Sequence, residues 1–175
     1  MPLSRRSQPL PPPASKGCGK TALNTPLVGF ARTSQSRDFT RVLIVHDDGS
    51  VVGHCGLAPS VIQPNSAPRA IRTGRPPDPF ACLLIGQLAV DRNCTGQGIG
   101  SALVKDALQR CLRGADTVGD RAVVVRAFDA DAGHYWKGWG FTPWRDNPSI
   151  LLRSIQDVRH WLDATSRSGN EQSQT

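Results

Sequence analysis

Residues 82–90, CLLIGQLAV, lead through DRNC into TGQGIG and from there into SALVKDALQRCL. That order constrains the fold more than any other feature of the chain. A short continuous apolar run closed by a turn is a buried strand. After it, Leu103, Val104, Ala107, Leu108, Cys111 and Leu112 recur at helical spacing, and Lys105, Asp106, Gln109, Arg110 and Arg113 fill the other face. A helix is therefore expected from Ser101, ending at Gly114. Between strand and helix, Gly96, Gly98 and Gly100 carry no Cβ, so the main chain can take positive φ and approach a ligand closely. Free N–H groups at the start of a helix favour an anion, a phosphate above all. A tight turn with no ligand is the other reading of the glycines alone.

The flanking sequence extends the pattern. RVLIVHDDGSVVGHCGLAPSVI is two β-branched apolar runs joined by an Asp-Gly turn signal, a β-hairpin. A proline-rich loop with Arg69, Arg72 and Arg75 follows. Farther on, AVVVRAF (122–128) and SILLRSI read as strands, DADAGHYWKGWG as a short capped helix closed by Gly140, and QDVRHWLDAT as a terminal helix or turn. Strands alternating with helices after a hairpin give an α/β layout. Residues 1–16, rich in proline, serine and basic side chains, are expected to be disordered; 17–164 form the folded domain, and the polar 165–175 a flexible tail.

Composition narrows the function classes. No apolar run approaches the roughly 18 residues of a membrane-spanning helix, and the N-terminus lacks the apolar middle of a secretory signal, so a cytoplasmic protein with no membrane partner is expected. Cys18, Cys55, Cys82, Cys94 and Cys111 are odd in number and never spaced C-x-x-C, which indicates neither a disulfide framework nor a metal site. The formal charge of +7 suits an anionic partner, nucleic acid or a phosphate-rich cofactor.

Two phosphate-binding turns are excluded by spacing. There is no Gly-Lys-Ser/Thr ending, and GQGIG falls one spacing short of the dinucleotide fingerprint. Thr95 to Gly100 instead resembles the pyrophosphate loop of GNAT-family acetyltransferases, with Thr95 where that family usually has Arg or Gln. LIGQLAVDRNCTGQGIGSALVKDALQRCL, with CGKTALN, APRAIRTGRPPDP and GDRAVVVRAFDADAGHYWKGWGF, further resembles the GNAT toxins of bacterial toxin–antitoxin pairs, which acetylate the amino group of aminoacyl-tRNA.

The resemblance implies the GNAT (acyl-CoA N-acyltransferase) fold, α/β, with a mixed, mostly antiparallel sheet flanked by helices. It implies acetyl-CoA as co-substrate with no metal, and three partners: aminoacyl-tRNA, a ribbon-helix-helix antitoxin, and a second copy in a homodimer. It places main-chain groups of Leu88 and Val90 on the pantetheine arm and acetyl carbonyl. The N–H groups of Gln97, Gly98, Gly100 and Ser101 fall on the pyrophosphate, with Arg92 adding charge. Counting back from Gly140 and Phe141 puts Trp136, not Tyr135, where the family has its tyrosine acid. An indole N–H can orient a sulfur but cannot protonate it. Tyr135 lies about 100° away around a helix and is expected to reach the thiol only if that helix is rotated or deformed. Both residues stand as catalytic candidates.

Glu171, in the tail, is the sole glutamate, so no Glu base is available; His54 and His134 are candidates for a water relay, with plain packing or capping as the alternative. Arg69, Arg72, Arg75 and Arg126, with Lys137 and Arg145, are candidates for a basic rim on an RNA acceptor end, and Trp139 and Trp144 for stacking on a base. Other readings stay open at this level. One is a GNAT acting on a small amine or a protein lysine; the other is an impaired acetyl-CoA binder.

Overall fold

The computed structural model describes residues 40–47, 50–63, 69–72 and 78–171. Its strands are β1 (Arg41–Asp47), β2 (Ser50–Ile62), β3 (Phe80–Val90), β4 (Ala122–Arg126), β5 (Thr142–Pro143) and β6 (Ile150–Ser154). They form one six-stranded sheet in the order β1-β2-β3-β4-β6-β5. The β3–β4 pair is parallel and the other pairs are antiparallel, the mixed sheet that the resemblance implies. The helices are α1 (Arg69–Arg72), α2 (Ile99–Val118), α3 (Ala130–Gly138) and α4 (Ile155–Glu171).

Alternation along β4 divides the core into two layers. Val123 and Val125 join Leu103, Val104, Leu108 and Cys111 of α2 and Val158 and Leu162 of α4 on one face. Ala122 and Val124 join Ile62, Ile71 of α1, Phe80 and Leu152 on the other. Each fully buried leucine or valine of this kind contributes roughly 1.5–3 kcal/mol.

Three boundaries differ from the expectation. Helix α2 begins at Ile99 and passes through Gly114 to end at a left-handed Gly119. Gly114 sits where the helix crosses β3: a Cβ there would lie 3.4 Å from the Leu83 Cδ1, so this glycine permits close packing and does not stop the helix. The terminal helix is longer than its apolar pattern suggests, 17 residues reaching Glu171, beyond the residue-164 limit read from composition. Ser154 caps it, accepting from the Asp157 N–H at 3.0 Å and donating to the Asp157 carboxylate at 2.6 Å. Thr165 and Ser166 bond back to the carbonyls of Trp161 and Leu162, so their hydroxyls are satisfied within the helix. The expected disordered segment 1–16 lies outside the described residues.

Candidate active site

Strands β3 and β4 pair only where Leu83–Ile85 meet Val123–Val125. Past Ile85, β3 continues along β2, but no described strand lies on its other side, and a cleft opens there. The cause is a bulge. His54 pairs with Ala89 and Gly56 with Gly86, so β2 advances two residues while β3 advances three. Gln87 absorbs the extra residue at φ 56°, an uncommon left-handed conformation for a non-glycine. The inserted residue reverses the alternation, so Leu83 and Ile85 before it and Leu88 and Val90 after it all pack on the α2 face. His54 hydrogen-bonds to the Gln87 backbone, yet burial dominates and lowers its pKa to about 4. Its Nε2 is buried without a hydrogen-bond partner among the described residues.

The glycine turn stands at the end of this cleft. Asp91 accepts from the Asn93 N–H at 2.8 Å and caps a short 3-10 turn, Arg92–Cys94. Thr95 donates its hydroxyl back to the Arg92 carbonyl at 2.8 Å, so the residue at the family's Arg/Gln position is spent on the turn. Gly96 and Gly98 take φ of 78° and 79°, and a Cβ at either would meet nothing within 4 Å among the described residues. No side chain caps α2 at Gly98, and the first helical bond is Ala102 N–H to the Gly98 carbonyl, 2.9 Å. The N–H groups of Ile99, Gly100 and Ser101 therefore precede the first intrahelical donor, the position at which a helix start favours an anion. Close packing fixes their position: a Cβ at Gly53 would lie 2.9 Å from the Ile99 Cγ2.

Helix α3 closes the other wall. Asp129 caps it by accepting from the Ala132 N–H at 2.8 Å. Trp136 is 5% exposed and packs edge-on to Phe141, ring centroids 5.3 Å apart. Tyr135, 38% exposed, sends its hydroxyl to the start of α2: a Cβ on Gly100 would lie 3.6 Å from the Tyr135 Oη and 3.6 Å from the Val90 Cγ2. Helix α3 thus brings the Tyr135 phenol beside the glycine turn. Burial raises the Tyr135 pKa above the usual phenol value, a hydrogen bond with Trp139 offsetting part of the effect, so the hydroxyl keeps its proton at neutral pH. The cleft, about 280 Å³, is lined by Ile85, Gln87, Leu88, Arg126, Phe128, Tyr135 and Trp136 among others.

Known proteins give this geometry a lineage. Residues 21–141 match the Acetyltransferase (GNAT) family. The chain belongs to that family. It is 33% identical over 141 residues, 81% of this chain and 84% of the other, to a tRNA-acetylating toxin of Mycobacterium tuberculosis. Among solved structures it is similar to a tyrosine-to-phenylalanine variant of the toxin AtaT bound to the C-terminus of the antitoxin AtaR and acetyl-CoA (TM-score 0.70, 25% identity, 84% of this chain and 87% of that one). It also shares the fold of AtaT complexed with acetyl-methionyl-tRNAfMet (TM-score 0.74, 24% identity, 83% and 88% covered). As a GNAT member, the chain is an acetyl-CoA-dependent acetyltransferase.

Within this GNAT domain the remaining candidates separate. Arg126 is exposed at the end of β4 and lines the cleft. Arg69 is exposed on α1, whose Ile71 packs on the opposite face of the sheet from α2, so it does not share a surface with the glycine turn. Arg75 and the side chain of Arg72 lie outside the described residues. Arg92 and Gln97 are exposed at the turn, as are Lys137 on α3 and Arg145 beyond β5. His134 is exposed on α3. The two stacking candidates pack instead. Trp139 meets Trp161 at 5.5 Å and Tyr135 at 6.3 Å, while Trp144 lies against the outer cluster with its Nε1 buried. The thiols of Cys55, Cys82 and Cys111 are buried and pushed up to about 12, 11 and 12, which makes them inert.

Three residues at the site went unnoticed in the sequence. Gln87 was signalled only by Gly-Gln inside an apolar run. Gly53 depends on which helix crosses it. Phe128 stood as the end of a strand, whereas β4 stops at Arg126 and leaves the ring 63% exposed at the cleft. A positioning contact was also hidden: Arg153, 8% exposed, donates to the Trp139 carbonyl at 2.7 Å and stacks on Trp161 at 5.4 Å, anchoring the C-terminal end of α3.

Proposed function

We propose that this GNAT chain moves acetyl from acetyl-CoA to the α-amino group of an aminoacyl-tRNA, acting as the toxin of a toxin–antitoxin pair that blocks translation. One observation carries the acceptor: the 33% identity to the M. tuberculosis tRNA-acetylating toxin across 81% of this chain. The net charge of +7 fits an RNA partner. In this reading the main chain of Leu88 and Val90, left without a strand opposite, holds the pantetheine arm and the acetyl carbonyl. The N–H groups of Gln97, Gly98, Gly100 and Ser101 hold the pyrophosphate, and Arg92 adds positive charge. Arg126 meets the acceptor at the cleft mouth, and Arg69, Arg72 and Arg75 are assigned to the RNA.

Acetyl transfer needs the amine to attack the thioester carbonyl and the departing thiolate to take a proton. An aminoacyl ester's α-amine is appreciably neutral near pH 7 and attacks without a dedicated base, and the proton its nitrogen sheds as the C–N bond forms and the C–S bond breaks passes to solvent water, from which Tyr135 is reprotonated. Tyr135, protonated and directed at the start of α2, supplies the proton. Trp136, fixed against Phe141, forms the wall that aims it. The protein works in the cytoplasm as a homodimer restrained by a ribbon-helix-helix antitoxin. Cell-free translation tests the proposal: the protein should stop synthesis only when acetyl-CoA is present. A block without acetyl-CoA, or none with it, contradicts it and favours a small amine or a protein lysine as acceptor.

A further inference from the structure

We propose that Phe128 and Arg126 form the seat of the acceptor's 3′-terminal nucleotide, the base stacking on Phe128 and the phosphate meeting Arg126. The proposal rests on the aminoacyl-tRNA reading and assigns it a contact residue. Four large apolar side chains are exposed among the described residues: Val61, Val118, Phe128 and Tyr135. Two of them, Phe128 and Tyr135, line the cleft. Tyr135 turns its hydroxyl inward to Gly100, whereas Phe128 is 63% exposed and makes no ring contact among the described residues. Arg126, two residues earlier and equally on the cleft, is exposed and carries no side-chain hydrogen bond or ion pair among the described residues. An open aromatic face beside an unpaired guanidinium is the pairing that receives an unstacked base and its phosphate.

The depth of the cleft sets which part of the acceptor each wall meets. Ile85 and Trp136, 1% and 5% exposed, form the floor. The α-amine must come in to the level of Tyr135 and Leu88, where acetyl is transferred. The ester joins the amino acid's carboxyl to the ribose, so ribose, base and phosphate lie outward from the amine, toward the exposed residues. Stacking accepts any base, and the aminoacyl side chain is left to the inner wall. The tryptophans cannot serve here, since Trp139 is engaged with Trp161 and Trp144 packs on the outer cluster.

The test uses the full chain with two acceptors carrying the same amino acid, the charged tRNA and the amino acid methyl ester, which has the amine but no nucleotide. Phe128→Ala should raise KM for charged tRNA about ten- to a hundredfold, leaving kcat and the KM for acetyl-CoA unchanged. It should leave turnover of the ester unchanged, and Phe128→Trp should restore the tRNA KM. Arg126→Gln should lower the slope of log(kcat/KM) against log salt by about 0.7, one phosphate contact. Equal losses on tRNA and ester would overturn the proposal by placing Phe128 on the amino acid side chain, and no loss on either would remove Phe128 from the acceptor site. Wild-type turnover of the ester but not of charged tRNA would overturn the aminoacyl-tRNA reading itself, and with it the nucleotide seat.

Discussion

Replacing Tyr135 by phenylalanine separates the two aromatic candidates. The phenol is half-buried, raised in pKa by that burial, and placed beside Gly100 and Val90; phenylalanine keeps the ring and removes only the proton donor. General-acid catalysis contributes roughly 10²- to 10⁴-fold, and thiolate is a good leaving group, so kcat should fall by about 10² with KM for acetyl-CoA unchanged. Because the ring and its edge contacts with Trp136 and Trp139 are kept, Tm should fall by no more than roughly 2–4 °C for a chain of this size. Trp136→Phe should do the reverse. It empties part of a buried site packed on Phe141, costing about 1–3 kcal/mol, yet leaves kcat within a few-fold. Steady-state kinetics and thermal unfolding of both variants provide the assay. A normal kcat in Tyr135→Phe with a hundredfold loss in Trp136→Phe would refute the assignment.

Three further outcomes follow from particular residues. His54, with a pKa near 4 in the fold and 6.5 unfolded, stays neutral in the folded chain while the unfolded chain takes up a proton below pH 6.5. Stability should therefore be lost as pH falls from 6.5 through 4, by about 3 kcal/mol from this group, and denaturant titrations across that window should show His54→Gln losing that much less; parallel curves would contradict the assignment. Gly98→Ala puts a side chain at φ 79° in open space, so left-handed strain of about 1–2 kcal/mol lowers Tm, and the methyl on the approach to the N–H groups should weaken acetyl-CoA binding about tenfold by calorimetry. Gly140→Ala meets the Arg153 Cζ at 3.2 Å as well as a φ of 79°, so it should destabilise more than Gly98→Ala; a smaller Tm loss would show that Arg153 can yield without cost.

Much of this architecture is legible from periodicity, and its exceptions have physical reasons. The hairpin, the buried run into the glycine turn and the face of α2 are local patterns, and each forms where its residues indicate. Gly114 and Gly119 look alike as helix stops; only the approach of α2 to Leu83 reveals the first as a packing glycine, while the second takes the left-handed conformation that ends the helix. Counting along the motif puts Trp136, not Tyr135, at the family's acid position, whereas in the fold Trp136 is buried against Phe141 and the Tyr135 hydroxyl lies beside Gly100. That depends on how α3 packs against Phe141 and α2, a tertiary fact. The bulge at Gln87 is a property of two strands in register, and no single strand encodes it. Serine and threonine past residue 164 read as a tail, although their hydroxyls satisfy helix carbonyls and α4 continues through them.

Acetyl transfer to the amino group of a charged tRNA is read most directly by mass spectrometry of the 3′-terminal fragment released from charged tRNA after incubation with the purified protein and acetyl-CoA, beside uncharged tRNA. One added acetyl group is expected on the aminoacyl-adenosine fragment and none on the uncharged end. An unmodified fragment, or acetylation of both, would contradict it.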